Sequence, residues 1–420
     1  MYQQLNLKNS GRLLLIPYQD TKAATVYCMF PVGSRYEHKK IVGVSHFIEH
    51  LMFKGTKKRP TTLDISRELD AHGAEYNAFT SKDYTGYYIK IDAEQMPLAL
   101  DILSDMLFHS KFEGEEIDKE RGVIIEELHM YEDNPTMHID TLFEETLYGD
   151  HPLGWRIGGW PEQIKAVTRE EIISYRDKFY DPAKMVVAVA GKLPADALAQ
   201  IEKTFGAVGG GKTAVVKPES WKELGAERIF IQYKETDQTH IALGMPALSY
   251  EHKDLPALKL LTVILGGTMS SRLFIEVREK RGLAYSVRAG VESYHETGNF
   301  SVRAGLDKNR LEQALTVIMN ELKKVKESGV TKKEFTDAKT NFHGRLVLEL
   351  EESNALADFY SRQALLMEKI KTPEEKLAEI DAVTIEDVHR VAGEILDFKK
   401  LRMAVIGGVK DAKPLEKILF

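Results

Sequence analysis

A single cysteine, Cys28, stands in 420 residues, which excludes an intramolecular disulfide framework and any cysteine-rich zinc or iron–sulfur site. Long apolar runs are missing as well. No stretch approaches the roughly 20 residues needed to span a bilayer, so no membrane partner is expected. An excess of positive charge is also absent: Lys+Arg 57 against Asp+Glu 64 leaves −7. A mildly acidic chain has no electrostatic reason to bind nucleic acid. The first residues, Met1 to Lys8, lack the charged start and apolar stretch of a signal peptide, so the expected compartment is the cytoplasm. What is present is a globular composition, 43% hydrophobic and 29% charged. The length exceeds one ordinary hydrophobic core, so two or more domains are expected.

The chain is written twice. Residues 13–31 resemble residues 228–246: Tyr18 precedes Pro31 by 13 residues, as Tyr233 precedes Pro246, an offset of 215. Near the end of each half, Ala166-Val167-Thr168 matches Ala382-Val383-Thr384, and 23 residues separate Thr168 from Gly191 and Thr384 from Gly407. Landmarks repeated at both ends of a half argue for duplication. Between the copies, 206–225 contains Gly209-Gly210-Gly211 and Pro218 with little periodicity and reads as a connector. The expected domains are therefore 1–205 and 226–420. Period-two strands at 24–30 and 240–245, with last strands at 185–190 and 402–406, predict an α+β fold. Each domain is expected to be a mostly antiparallel sheet packed with helices on one face.

Residues 43–53 read as a helix. At 100° per residue, His50 lies about 40° from His46 and Glu49 about 60° to the other side, while Val44, Phe47, Ile48, Leu51 and Met52 gather on the opposite face. Two imidazoles one turn apart can reach one metal ion, and Glu49 can serve a metal-bound water as general base. A hydrolytic zinc site usually has three protein ligands and an open position, so a third ligand is expected elsewhere. The best source is 116–131. Read as a helix, it places Glu127 within an apolar stripe of Val123, Ile124, Leu128 and Tyr131, with Glu120 beside it and Glu126 outside. A carboxylate on a core-facing stripe is costly unless paired or metal-bound. Glu127 is the expected ligand and Glu120 a second-sphere or substrate-side group. The same region holds the charge: nine acidic residues against Lys119 and Arg121 in 113–133 equal the net −7 of the whole chain.

His46-Phe47-Ile48-Glu49-His50, with a glutamate 77 positions after His50, resembles the inverted zinc motif H-x-x-E-H of the pitrilysin-type metallopeptidases. That family includes insulin-degrading enzyme and the mitochondrial processing peptidase. Phe53-Lys54-Gly55-Thr56, Asn77-Ala78-Phe79-Thr80, Glu120-Arg121-Gly122-Val123 and His151-Pro152-Leu153-Gly154 agree with it. The resemblance covers essentially the whole chain and is to the short, two-domain members. It implies zinc on His46, His50 and Glu127, with Glu49 as the water-activating base and Glu120 at the family's second acidic position. The second half has no H-x-x-E-H, so one zinc ion per chain is expected. There the resemblance assigns Arg278 and Tyr285, seven positions apart, to holding the substrate near its scissile carbonyl. It also makes the strand with Asn77 and Ala78 an exposed edge to which an extended peptide adds.

The expected function is zinc-dependent cleavage of short or unfolded peptides. The alternative is a non-catalytic or assembly subunit of the same family that binds peptides without cleaving them. Because this chain has both the ligand set and the Arg278/Tyr285 pair, a homodimer is the expected assembly.

Overall fold

Eleven strands form two sheets in the computed structural model, which describes residues 2–211 and 217–420. Part of the connector at 206–225, residues 212–216, lies outside the described residues. The first sheet comprises β1 (Gln3–Asn6), β2 (Arg12–Pro17), β3 (Ala23–Phe30), β4 (Glu75–Thr80), β5 (Thr85–Asp92) and β6 (Val186–Gly191), ordered β1-β2-β6-β3-β5-β4. The second comprises β7 (Ile229–Tyr233), β8 (Gln238–Ala247), β9 (Ala284–Ser293), β10 (Gly298–Asp307) and β11 (Arg402–Gly407), ordered β7-β11-β8-β10-β9. With β1 set aside, the orders coincide strand for strand. The signs coincide too: β2–β6 and β7–β11 are parallel, and every other pair is antiparallel. The duplication in the sequence is a duplication of topology, and the mostly antiparallel α+β expectation holds.

The expectation of helices on one face needs correcting. In a strand, alternate side chains serve opposite faces. On β6, Val187 and Val189 join the main core beneath helices Val44–Leu51, Met96–His109 and Arg169–Phe179. Val186, Ala188 and Ala190 face the other way and are covered by Ala357, Tyr360 and Ala364 of helix Ser353–Leu366. The second sheet repeats the plan. Met403 and Val405 of β11 enter one core, while Ala404 and Ile406 pack with Ile139, Leu142 and Phe143 of helix Pro135–Tyr148. Burying each large aliphatic or aromatic side chain contributes about 1.5–3 kcal/mol, so a sheet apolar on both faces cannot leave one bare.

The covering helices are exchanged. The helix at 135 covers the second sheet and the helix at 353, 218 positions later, covers the first. Packing therefore divides the chain into Met1–Leu128, Trp155–Glu219 and Val347–Thr372 as one unit, and His129–Gly154, Ser220–Leu346 and Pro373–Phe420 as the other. These packing units are discontinuous, unlike the continuous halves 1–205 and 226–420. Among the described residues no helix is long and apolar enough to cross a membrane.

Candidate metal centre

The first unit builds its site from helix Val44–Leu51, which follows β3. Gly43 precedes it in a left-handed conformation at φ 94°, and an added Cβ would lie 2.6 Å from the Gly158 carbonyl oxygen, so only glycine fits. Glycine has no side chain to cap the helix. The Glu37 carboxylate does so instead, accepting the Gly43 and Ser45 amides at 2.7 and 2.8 Å. Burial lifts Glu37 to about 8, against the pull of those two bonds. Val44, Phe47, Ile48 and Leu51 are buried, which turns His46, Glu49 and His50 outward as the periodicity predicts.

His46 Nε2 and His50 Nε2 lie 3.2 Å apart, and Glu127 Oε2 is 3.3 Å from the second and 3.7 Å from the first. Zinc bonds of about 2.0–2.1 Å at tetrahedral angles separate two donors by roughly 3.3 Å, so the trio has the size of three corners of a zinc tetrahedron. Among the described residues it is the one cluster of this kind. Glu120 Oε1 meets His50 Nδ1 at 2.8 Å, which directs Nε2 towards Glu127. Lys54 Nζ holds the other Glu120 oxygen at 2.6 Å. Burial favours the neutral acid at Glu120, but His50 and Lys54 outweigh it and keep the carboxyl below its ordinary range. Burial and the neighbouring His50 hold His46 well below the usual imidazole value. Burial pulls His50 down too, but Glu120 and Glu127 more than reverse it, so in the absence of a dication His50 binds a proton where a metal would compete for the same nitrogen.

Glu49 sits on the same face. Burial raises its pKa, partly offset by the Thr80 hydroxyl, which donates to Oε2 at 2.6 Å. Thr80 ends β4, the outer strand of the first sheet, and β4 also carries the expected substrate contacts. Asn77 is exposed and Ala78 half-buried, and the Ala78 amide donates to the Asn77 side-chain oxygen at 2.9 Å. The second unit brings Arg278 and Tyr285 together. The guanidinium lies 5.1 Å from the Tyr285 ring centroid and donates to the Tyr285 carbonyl at 2.6 Å. Tyr285 is 74% exposed at the start of β9, the outer strand of its sheet.

The reason for choosing Glu127 is corrected. On helix Gly114–Asp133 the buried residues are Ile117, Glu120, Ile124 and Leu128, whereas Val123 and Tyr131 are 51% and 38% exposed. Ile117 extends a stripe through Ile124 and Leu128, and the buried residues along its edge include Glu120, not Glu127. Glu120 is the buried carboxylate and Glu127 the more open one, and Glu127 faces the imidazoles. Sequence reasoning missed Glu37, Lys54 and Thr80. The last two lie in the quoted Phe53-Lys54-Gly55-Thr56 and Asn77-Ala78-Phe79-Thr80 segments, the only signal that could have found them.

Residues 12–159 match the family model described as insulinase (peptidase family M16), and residues 166–342 the model described as the peptidase M16 inactive domain. An uncharacterized zinc protease of Bacillus subtilis is 36% identical over 94% of this chain and 96% of its own. One of Streptomyces coelicolor is 37% identical over 97% of this chain and 90% of its own. Among solved structures, a Helicobacter pylori protease superposes with a TM-score of 0.90 at 23% identity, covering 97% of this chain and 99% of that one, a likeness of fold. The chain belongs to peptidase family M16.

Proposed function

We propose that the protein is a zinc-dependent endopeptidase acting on short or unfolded peptides. The observation that carries this reading is the spacing of His46, His50 and Glu127, matched to a zinc tetrahedron, with Glu49 on the same helix face. Bound zinc would supply Lewis acidity to the attacking water and the scissile carbonyl. Glu49 takes a proton from that water and delivers it to the leaving amine nitrogen. Glu120, held by Lys54, orients His50. Asn77 and Ala78 offer the outer edge of β4 to an extended peptide, a mode indifferent to most side chains. Arg278 and Tyr285 are assigned to the substrate carbonyl on the family spacing alone. One zinc per chain is proposed, since the trio has no counterpart among the described residues. A homodimer is the economical assembly.

A second reading, a subunit that binds peptides without cleaving them, draws on the inactive-domain description matched by 166–342. Digesting peptides of increasing length, with and without a chelator, separates the two. The peptidase reading expects cleavage that the chelator abolishes and zinc restores. Binding without cleavage at any length, in protein loaded with zinc, would favour the second.

A further inference from the structure

Glu49 has two carboxylate oxygens, and the fold treats them differently. Oε2 accepts the Thr80 hydroxyl at 2.6 Å, while Oε1 has no hydrogen-bond partner among the described residues. The bond joins the His helix to the last residue of β4, the strand whose edge is proposed to receive the peptide. That end of β4 is firmly held. Thr80 pairs with Thr85 across a tight turn in which the Ser81 amide donates to the Tyr84 carbonyl at 2.8 Å. The turn is clamped from outside: Ser34 and Arg35 amides donate to the Ser81 and Lys82 carbonyls at 3.0 and 3.1 Å, and Arg35 pairs with Asp83 at 2.9 Å in full burial. Threonine is branched at Cβ and has few rotamers, so its hydroxyl is a fixed donor on a fixed strand end.

We infer that Thr80 is the positioning residue for the general base, fixing Glu49 through Oε2 so that Oε1 is the oxygen that takes the proton. The inference rests on the peptidase reading above. It adds a coupling: a peptide laid along β4 is registered on the strand that also sets the base, so substrate and base share one frame. The cost of losing it is expected on the chemical step, because the hydroxyl is committed to Glu49.

The test compares Thr80→Val, which keeps the shape and deletes the donor, with Thr80→Ser, which keeps the donor, measuring kcat, KM, zinc content and melting temperature on an unfolded peptide. Thr80→Val is expected to lose about 10–100-fold in kcat with KM within about twofold and zinc unchanged. Thr80→Ser is expected to recover most of kcat. Wild-type kcat in Thr80→Val beside an inert Glu49→Gln would overturn the Thr80 assignment alone, as would equal losses in Thr80→Ser and Thr80→Val. A wild-type chain without zinc-dependent cleavage would overturn the peptidase reading and this inference with it.

Discussion

The two sheets share a strand order but not a chemistry. Helix Val44–Leu51 buries one face and turns His46, Glu49 and His50 outward. Its counterpart Leu255–Thr262 buries Leu255, Ala257, Leu258, Leu260, Leu261 and Thr262 and has no ionisable residue besides Lys259. The helices that follow diverge likewise. Gly114–Asp133 and Lys332–Glu349 begin 218 positions apart, and that offset sets Ala338 opposite Glu120 and Arg345 opposite Glu127. The second copy has a cation where the first has the anionic donor Glu127, and a methyl where the first has the carboxylate of Glu120. The fold needs only the apolar stripes, which both copies keep, so the polar face of one was free to hold a metal and that of the other to lose it.

Three substitutions probe that difference. The largest effect belongs to the first copy: Glu49→Gln is expected to lower kcat about 10²–10⁴-fold while zinc, measured by elemental analysis, stays bound. Next is Lys54→Met, which removes the cation holding Glu120. Competition with a chromogenic chelator is expected to show zinc affinity reduced about 10–100-fold. The smallest belongs to the second copy, in which Arg272 and Glu334 pair at 2.6 Å. Burial opposes ionisation of Glu334, but Arg272 and Thr331 outweigh it and depress its pKa to about 2. A depressed carboxylate stabilises the fold above its ordinary pKa and loses that contribution as pH falls through the depressed one. Glu334→Gln is therefore expected to cost about 1 kcal/mol at pH 7 after solvent screening. In urea melts the difference from wild type shrinks as pH falls from about 4 towards 2, with peptide cleavage at pH 7 unchanged.

Much of this was legible in the sequence because it is periodic or repeated. The doubled Tyr–Pro and Thr–Gly spacings foretold two copies of one topology, and the 100° step foretold the polar face with His46, Glu49 and His50. The exchange of helices Pro135–Tyr148 and Ser353–Leu366 left no trace, since an apolar stripe reads the same whichever sheet it covers. Glu127 was reached through a stripe that the core does not use: Val123 and Ile124 offer two alternatives, and only burial chose between them. Thr80 and Lys54 act on partners 31 and 66 residues away through a single polar contact each, which no period encodes.

The metal content of the whole chain tests the central claim most directly. Elemental analysis of wild type and of His50→Ala, each purified with zinc and desalted, is predicted to find one zinc per chain in the first and none in the second. Two zinc ions per wild-type chain, or one retained in His50→Ala, would contradict the account.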